Sequence, residues 1–120
     1  MDSILVVDDD EVIREALQKT LKDYPVLTAS NGKEAVELYK IHKPAIVLMD
    51  INMPEMNGVE ATREIKKIDP NATIVVVTSY LKEHFRELRD LGVKDFVEKP
   101  FSLKKIREFV YGYLKKLENT

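Results

Sequence analysis

The chain has 120 residues, 44% hydrophobic and 33% charged, and no cysteine. That length suits one domain over residues 1–120 with a single core, and the composition excludes disulfides, thiolate metal sites and cysteine nucleophiles. With 19 Lys and Arg against 21 Asp and Glu the net charge is −2, which offers no general attraction to nucleic acid or to an anionic membrane.

Met1 leads directly into the apolar run ILVV, Ile4 to Val7, without the basic and apolar regions of a signal peptide, so a cytoplasmic location is expected. Four acids follow, DDDE, and then a helix-period stretch over 11–22 with Ile13, Leu17 and Leu21 on one stripe. The second strand-like run is VLTA, Val26 to Ala29. After it, NGKEAVELYKIHK opens with Asn31 and Glu34 at capping-box spacing. The third run, AIVLM from Ala45 to Met49, stops at Asp50, and a helix over 57–68 carries Val59, Ala61, Ile65 and Ile68.

The fourth run is TIVVVT, Thr73 to Thr78; a charged helix over 82–91 follows and should end at Gly92. The fifth is DFVEK, Asp95 to Lys99. From the N-cap Ser102, a last helix places Leu103, Ile106, Val110, Leu114 and Leu117 at helical spacing and leaves no room for a second domain. No apolar run is long enough to span a bilayer. The first, third and fourth runs are nearly all apolar, as strands covered on both faces are; the other two are mixed, which suits sheet edges. Five β-α units in a row predict an α/β fold, a parallel sheet with helices on both faces.

In such a sheet, ligands sit beyond the carboxyl ends of the strands. Those ends hold Asp8, Asp9 and Asp10 (first strand), Asp50 (third), Thr78 (fourth) and Lys99 (fifth). If these strands are neighbours, three carboxylates meet in one crevice, where each pair of charges ~4 Å apart repels by roughly 4 kcal/mol. Lys99 supplies one compensating charge and a divalent cation would supply two. Oxygen donors without histidine or thiolate select a hard ion, Mg²⁺ first and Mn²⁺ second. An ion, a hydroxyl and an ammonium around a carboxylate are the surroundings of a phosphoryl group, and a carboxylate can be its nucleophile. Taken singly, each residue has a plainer reading: Asp8 to Asp10 as helix caps, Thr78 as a strand residue, Lys99 as a loop residue.

The segments ILVVDDDE, VLMDINMPEMNG, VVVTS and DFVEKPF, in this order and spacing, resemble the receiver domain of bacterial two-component response regulators across essentially the whole chain. The resemblance implies a flavodoxin-like (βα)₅ sheet with strand order 2-1-3-4-5. It implies Asp50 as phosphoacceptor, Mg²⁺ held by Asp9, Asp8, Asp50 and the Asn52 backbone carbonyl, and phosphoryl oxygens held by Thr78 and Lys99. It further implies a cis Lys99–Pro100 bond and a switch in which Phe96 turns inward as Thr78 moves; read without the motifs, Phe96 is a core or edge aromatic. Asn52, Tyr80 and Asp10 would tune lifetime and ion affinity, Tyr80 by shielding the acyl phosphate. Asp10 has an equal alternative as a solvated first-turn acid favoured by the helix dipole.

Val12, Ile13 and Ala16 on the first helix are expected to face a histidine-bearing partner helix in part. His42 and His84 read as surface residues, and Lys104, Lys105, Arg107, Lys115 and Lys116 as a solvated face. The expected function is that of a stand-alone, monomeric response regulator, charged by a sensor histidine kinase or histidine phosphotransfer protein and acting on a downstream protein, either in chemotaxis or as a phosphorelay intermediate. An excised receiver of a larger regulator is the alternative. An aspartate-nucleophile phosphatase of the haloacid-dehalogenase kind would need a second acid where Asn52 stands. A flavin-binding carrier would need a phosphate loop where DDDE stands.

Overall fold

A computed structural model describes residues 2–119. Its order is β1 Ile4–Val7, α1 Glu11–Thr20, β2 Val26–Ala29, α2 Gly32–His42, β3 Ile46–Met49, α3 Gly58–Ile68, β4 Ile74–Thr78, α4 Leu81–Asp90, β5 Asp95–Glu98 and α5 Leu103–Glu118. The five strands form one parallel sheet in the order β2-β1-β3-β4-β5, the flavodoxin-like arrangement. Among the described residues no helix is long and apolar enough to cross a membrane.

Successive strand residues point to opposite faces, and the apolar runs divide accordingly. Leu5, Val7, Val47, Met49, Ile74 and Val76 pack with Ala35, Val59, Ile65 and Leu88 from α2, α3 and α4. Ile4, Val6, Ile46, Leu48, Val75 and Val77 pack with Leu17 of α1 and with Ile106, Val110 and Leu114 of α5. The three inner strands are therefore buried along their whole length, whereas β2 and β5, at the edges, are partly exposed.

Caps set where the helices begin. Asn31 Oδ1 accepts from the Glu34 N–H at 2.8 Å, while Glu34 Oε1 accepts from the Ser30 N–H at 2.9 Å, one residue beyond the N-cap that a reciprocal box would use. Asn57 and Ser102 cap α3 and α5 in the same way. Several bounds differ from the periodicity by a few residues; α1 ends at Thr20, and its C-cap Leu21, fully buried, still donates its N–H to the Leu17 carbonyl at 2.9 Å. The charged helix α4 gives way to Gly92, whose φ of 95° continues the chain in the left-handed region.

Candidate functional site

Sheet register builds the site. Val7 lies level with Ala29 on one side and Met49 on the other, so Asp8 and Asp50 follow at the same height on adjacent strands. Backbone bonds hold them there: the Asp50 N–H donates to the Val7 carbonyl at 2.9 Å and the Asp8 N–H to the Ala29 carbonyl at 3.1 Å. Across the sheet Thr78 pairs with Glu98, and the Lys99 N–H donates to the Thr78 carbonyl at 3.0 Å.

Asp8 is 3% exposed and Asp50 6% exposed, both buried carboxylates, while Asp9 is exposed beside them. One carboxylate oxygen from each of the three lies within 4.8 Å of the others, a donor set that fits a hard divalent cation. Lys99 Nζ is 2.7 Å from Asp8 Oδ2 and 3.4 Å from Asp50 Oδ2. The other oxygen of Asp50, Oδ1, accepts from the Ile51 N–H at 2.8 Å.

Burial, with the charge of Asp8 added, pushes the Asp50 carboxyl up to about 6; the Lys99 ammonium and the Ile51 N–H oppose the rise but do not cancel it. Burial would by itself lower Lys99, yet its bond to Asp8 and the charges of Asp50 and Asp8 raise it overall.

Thr78 is fully buried, and its Oγ1 accepts from the Tyr80 N–H at 3.1 Å, which leaves the hydroxyl hydrogen to donate elsewhere. Tyr80 is 46% exposed at the start of α4, and Asn52 is exposed on the loop after β3. The Lys99–Pro100 bond is cis, as the resemblance implies. Phe96, half-buried on β5, packs against Phe85 of α4 with ring centroids 4.8 Å apart. On α1, Val12 is 73% exposed, Ala16 half-buried, and Ile13 turned toward the core of the α1–α5 face. His42 is exposed and His84 half-buried next to Glu83.

One expectation needs correction. Asp10 is neither a first-turn acid nor a member of the carboxylate group: it is the N-cap of α1, its Oδ1 accepting from the Val12 N–H at 2.9 Å, and the first-turn acid is Glu11. A cap carboxylate oxygen is committed to an N–H at the helix end.

Two contributors escaped the sequence reading. Gly58 lies against the Asp50 strand end: a Cβ there would collide with the Asp50 carbonyl and crowd the Ile51 Cα at 2.8 Å. Its N–H also donates to the Ile51 carbonyl at 2.8 Å, so the loop folds back flush against Asp50. Arg14, one helical turn past the cap, donates from Nη1 to the Asp8 carbonyl at 2.7 Å. Gly after Asn in a turn-rich segment signalled a tight approach; for Arg14 the only signal was its i+4 spacing from Asp10.

Fold and crevice together put the protein in the class of receiver-type signalling domains. The response regulator receiver domain model matches residues 4–111, and the chain belongs to that family. The chemotaxis protein CheY of Thermotoga maritima is 47% identical over 109 residues, spanning 88% of this chain and 91% of that protein. The sporulation initiation phosphotransferase F of Bacillus subtilis is 33% identical over 116 residues, spanning 94% of each. Among solved structures, the CheX–CheY–BeF3–Mg+2 complex from Borrelia burgdorferi aligns with a TM-score of 0.85 at 29% identity, over 94% of this chain and 89% of that one. The phosphatase and flavin-carrier readings gain no support from these likenesses.

Proposed function

We propose that this response regulator takes a phosphoryl group from a phosphohistidine of a partner protein onto Asp50. The observation that carries the reading is the burial of Asp50 within reach of two further carboxylates and one ammonium. Asp50 Oδ1 is occupied by the Ile51 N–H, so Oδ2, on the Lys99 side, attacks phosphorus. The N–P bond of the donor breaks, its electron pair stays on the imidazole, and that nitrogen takes a proton from solvent. The Lys99 ammonium and the free Thr78 hydroxyl hydrogen then bind oxygens of the transferred group.

Mg²⁺ would be held by Asp8, Asp9, Asp50 and the Asn52 carbonyl, and when bound it supplies positive charge for the phosphoryl oxygens. The Mg+2 of the Borrelia burgdorferi complex supports this choice. Asn52 and Tyr80, flanking the crevice, tune the lifetime of the acyl phosphate.

Output passes through the α4–β5–α5 face. A dianion in the crevice draws Thr78 and Lys99 toward it and vacates space that Phe96 fills, shifting the population of this surface. A groove there is lined by Phe96, Val97, Phe101, Ile106 and Phe109, apolar enough to seat a protein target. Exposed Val12 and half-buried Ala16 form the landing patch for the donor helix. Likeness to CheY and to sporulation initiation phosphotransferase F supports both the chemotaxis and the relay role.

Intact mass after treatment with acetyl phosphate and Mg²⁺, beside Asp50→Asn, tests the assignment. One phosphoryl adduct on the wild type alone is the expected result; an adduct on both, or on neither, overturns Asp50 as the acceptor of small donors.

A further inference from the structure

The β1–α1 turn is held by a contact that the phosphotransfer chemistry leaves unexplained. Arg14 is the fourth residue after the N-cap Asp10, and its own N–H donates to the Asp10 carbonyl at 3.1 Å. Helical side chains lean toward the helix N-terminus, so the guanidinium folds back over the turn and meets the Asp8 carbonyl at 2.7 Å. Helix α1 by itself gives no reason for a cation there, because the N-terminal end of a helix is its positive end and favours acids. The reason lies in the turn.

Asp8 is fixed at every polar group. Its N–H donates to Ala29, Oδ1 accepts from the Asp10 N–H at 2.9 Å, Oδ2 accepts from Lys99, and the carbonyl accepts from Arg14. That carbonyl shares a rigid peptide plane with the Asp9 nitrogen and Cα. Fixing the oxygen therefore fixes the plane from which the Asp9 side chain departs. Asp9 is exposed, yet its carboxylate lies with those of Asp8 and Asp50 in one group.

We propose that Arg14 is a positioning residue of the divalent-cation site, anchoring the Asp8–Asp9 peptide so that the Asp9 carboxylate faces those of Asp8 and Asp50. The inference rests on the reading of the crevice as a metal site. Its sign separates it from a bystander role. A cation beside a cation site repels the ion, so deleting a bystander guanidinium would tighten Mg²⁺ binding; deleting a positioning one weakens it.

The test is a Mg²⁺ titration followed by the backbone amide resonances of Asp9, Asp10 and Ile51, at constant ionic strength, in wild type, Arg14→Met and Arg14→Lys. Arg14→Met is expected to bind about tenfold more weakly, the usual scale for loss of a group that orients ligands. Arg14→Lys, a charged donor of shorter reach, is expected to fall between. With acetyl phosphate, the apparent KM for Mg²⁺ should rise while the rate at saturating Mg²⁺ stays near that of wild type. Equal or tighter binding by Arg14→Met overturns the proposal, as does a lower unfolding midpoint with unchanged Mg²⁺ affinity. If Arg14→Met does not fold, Arg14→Lys decides by the same comparison. Wild type that shows no Mg²⁺ response removes the metal-site reading itself, a different failure from equal binding by the variants.

Discussion

Lys99 Nζ stands 2.7 Å from Asp8 Oδ2 and 3.4 Å from Asp50 Oδ2, so one ammonium bridges the ends of two neighbouring strands. The lysine is 91 positions from Asp8 in the chain, and both of its partners are buried. Removing it leaves two buried carboxylates facing each other. Lys99→Met is expected to lower stability near neutral pH by on the order of 2–4 kcal/mol, and added Mg²⁺ should restore part of the loss. The sign with pH follows from the raised Lys99 pKa: its stabilisation is complete below the ordinary value of 10.5 and is lost as pH rises through the folded value. Urea unfolding with and without Mg²⁺ measures this, and an unchanged midpoint would show the bridge to be energetically silent.

Asp50 changes with pH in the same direction, in a lower window. Its carboxyl sits at about 6 in the fold against an ordinary 3.8, so between those values the folded, metal-free protein binds a proton that the unfolded chain does not. Its contribution to stability therefore falls as pH rises through this window. Above the window the charged group is a standing penalty of about 2–3 kcal/mol. Asp50→Asn should be more stable than wild type by that amount at about pH 7 without Mg²⁺, with the difference closing toward pH 4. Paired urea titrations across this range decide it; an Asn variant less stable at neutral pH contradicts the assignment.

Gly58→Ala and Gly112→Ala should move in opposite directions. A methyl at Gly58 meets the Asp50 backbone and has nowhere to go, so a loss of about 2–3 kcal/mol is expected, together with displacement of Asp50. A methyl at Gly112, in α5, meets nothing within 4 Å, and a gain of up to about 1 kcal/mol is expected from helix propensity. Thermal unfolding of the two variants side by side is the measurement.

Thr62 is fully buried in α3, and among the described residues its Oγ1 has no hydrogen-bond partner. Replacing a buried unpaired hydroxyl by a methyl of similar volume removes a desolvation cost without opening a cavity. Thr62→Val should therefore gain about 1 kcal/mol. A loss of similar size in urea unfolding would mean that the hydroxyl is satisfied.

Phe85 and Phe96 pack with centroids 4.8 Å apart and planes tilted by 43°. Such a pair is worth about 0.5–1.5 kcal/mol and holds Phe96 toward α4. Phe85→Ala should raise the population with Phe96 turned inward by roughly 2- to 10-fold, read from the aromatic resonances of Phe96 before and after phosphorylation. Unchanged spectra would release Phe85 from any part in the switch.

The strands, the helices and the acids at the strand ends were legible because each is a local feature. An apolar run that stops at an acid marks a strand end wherever the strand lies, and a polar residue three before an acid marks a helix start. Asp10 was harder: a third acid in a row reads the same whether it faces an ion or caps a helix, and only the path of the turn separates the two.

By itself, then, the sequence determined the element order, the burial of the inner strands on both faces and the residue types at the carboxyl edge. These depend on periodicity within a few residues, which the chain carries openly. Tertiary structure alone decided that Lys99 reaches Asp8, that Gly58 must be bare against Asp50, that the Thr62 hydroxyl finds no partner among the described residues and that Arg14 clasps the Asp8 carbonyl. It also decided the raised Asp50 carboxyl, since desolvation and the charge of Asp8 act through space on groups 42 positions apart, 50 minus 8. Strand register, set by the packing of whole faces, brings such groups together, and no local pattern encodes the distance between them.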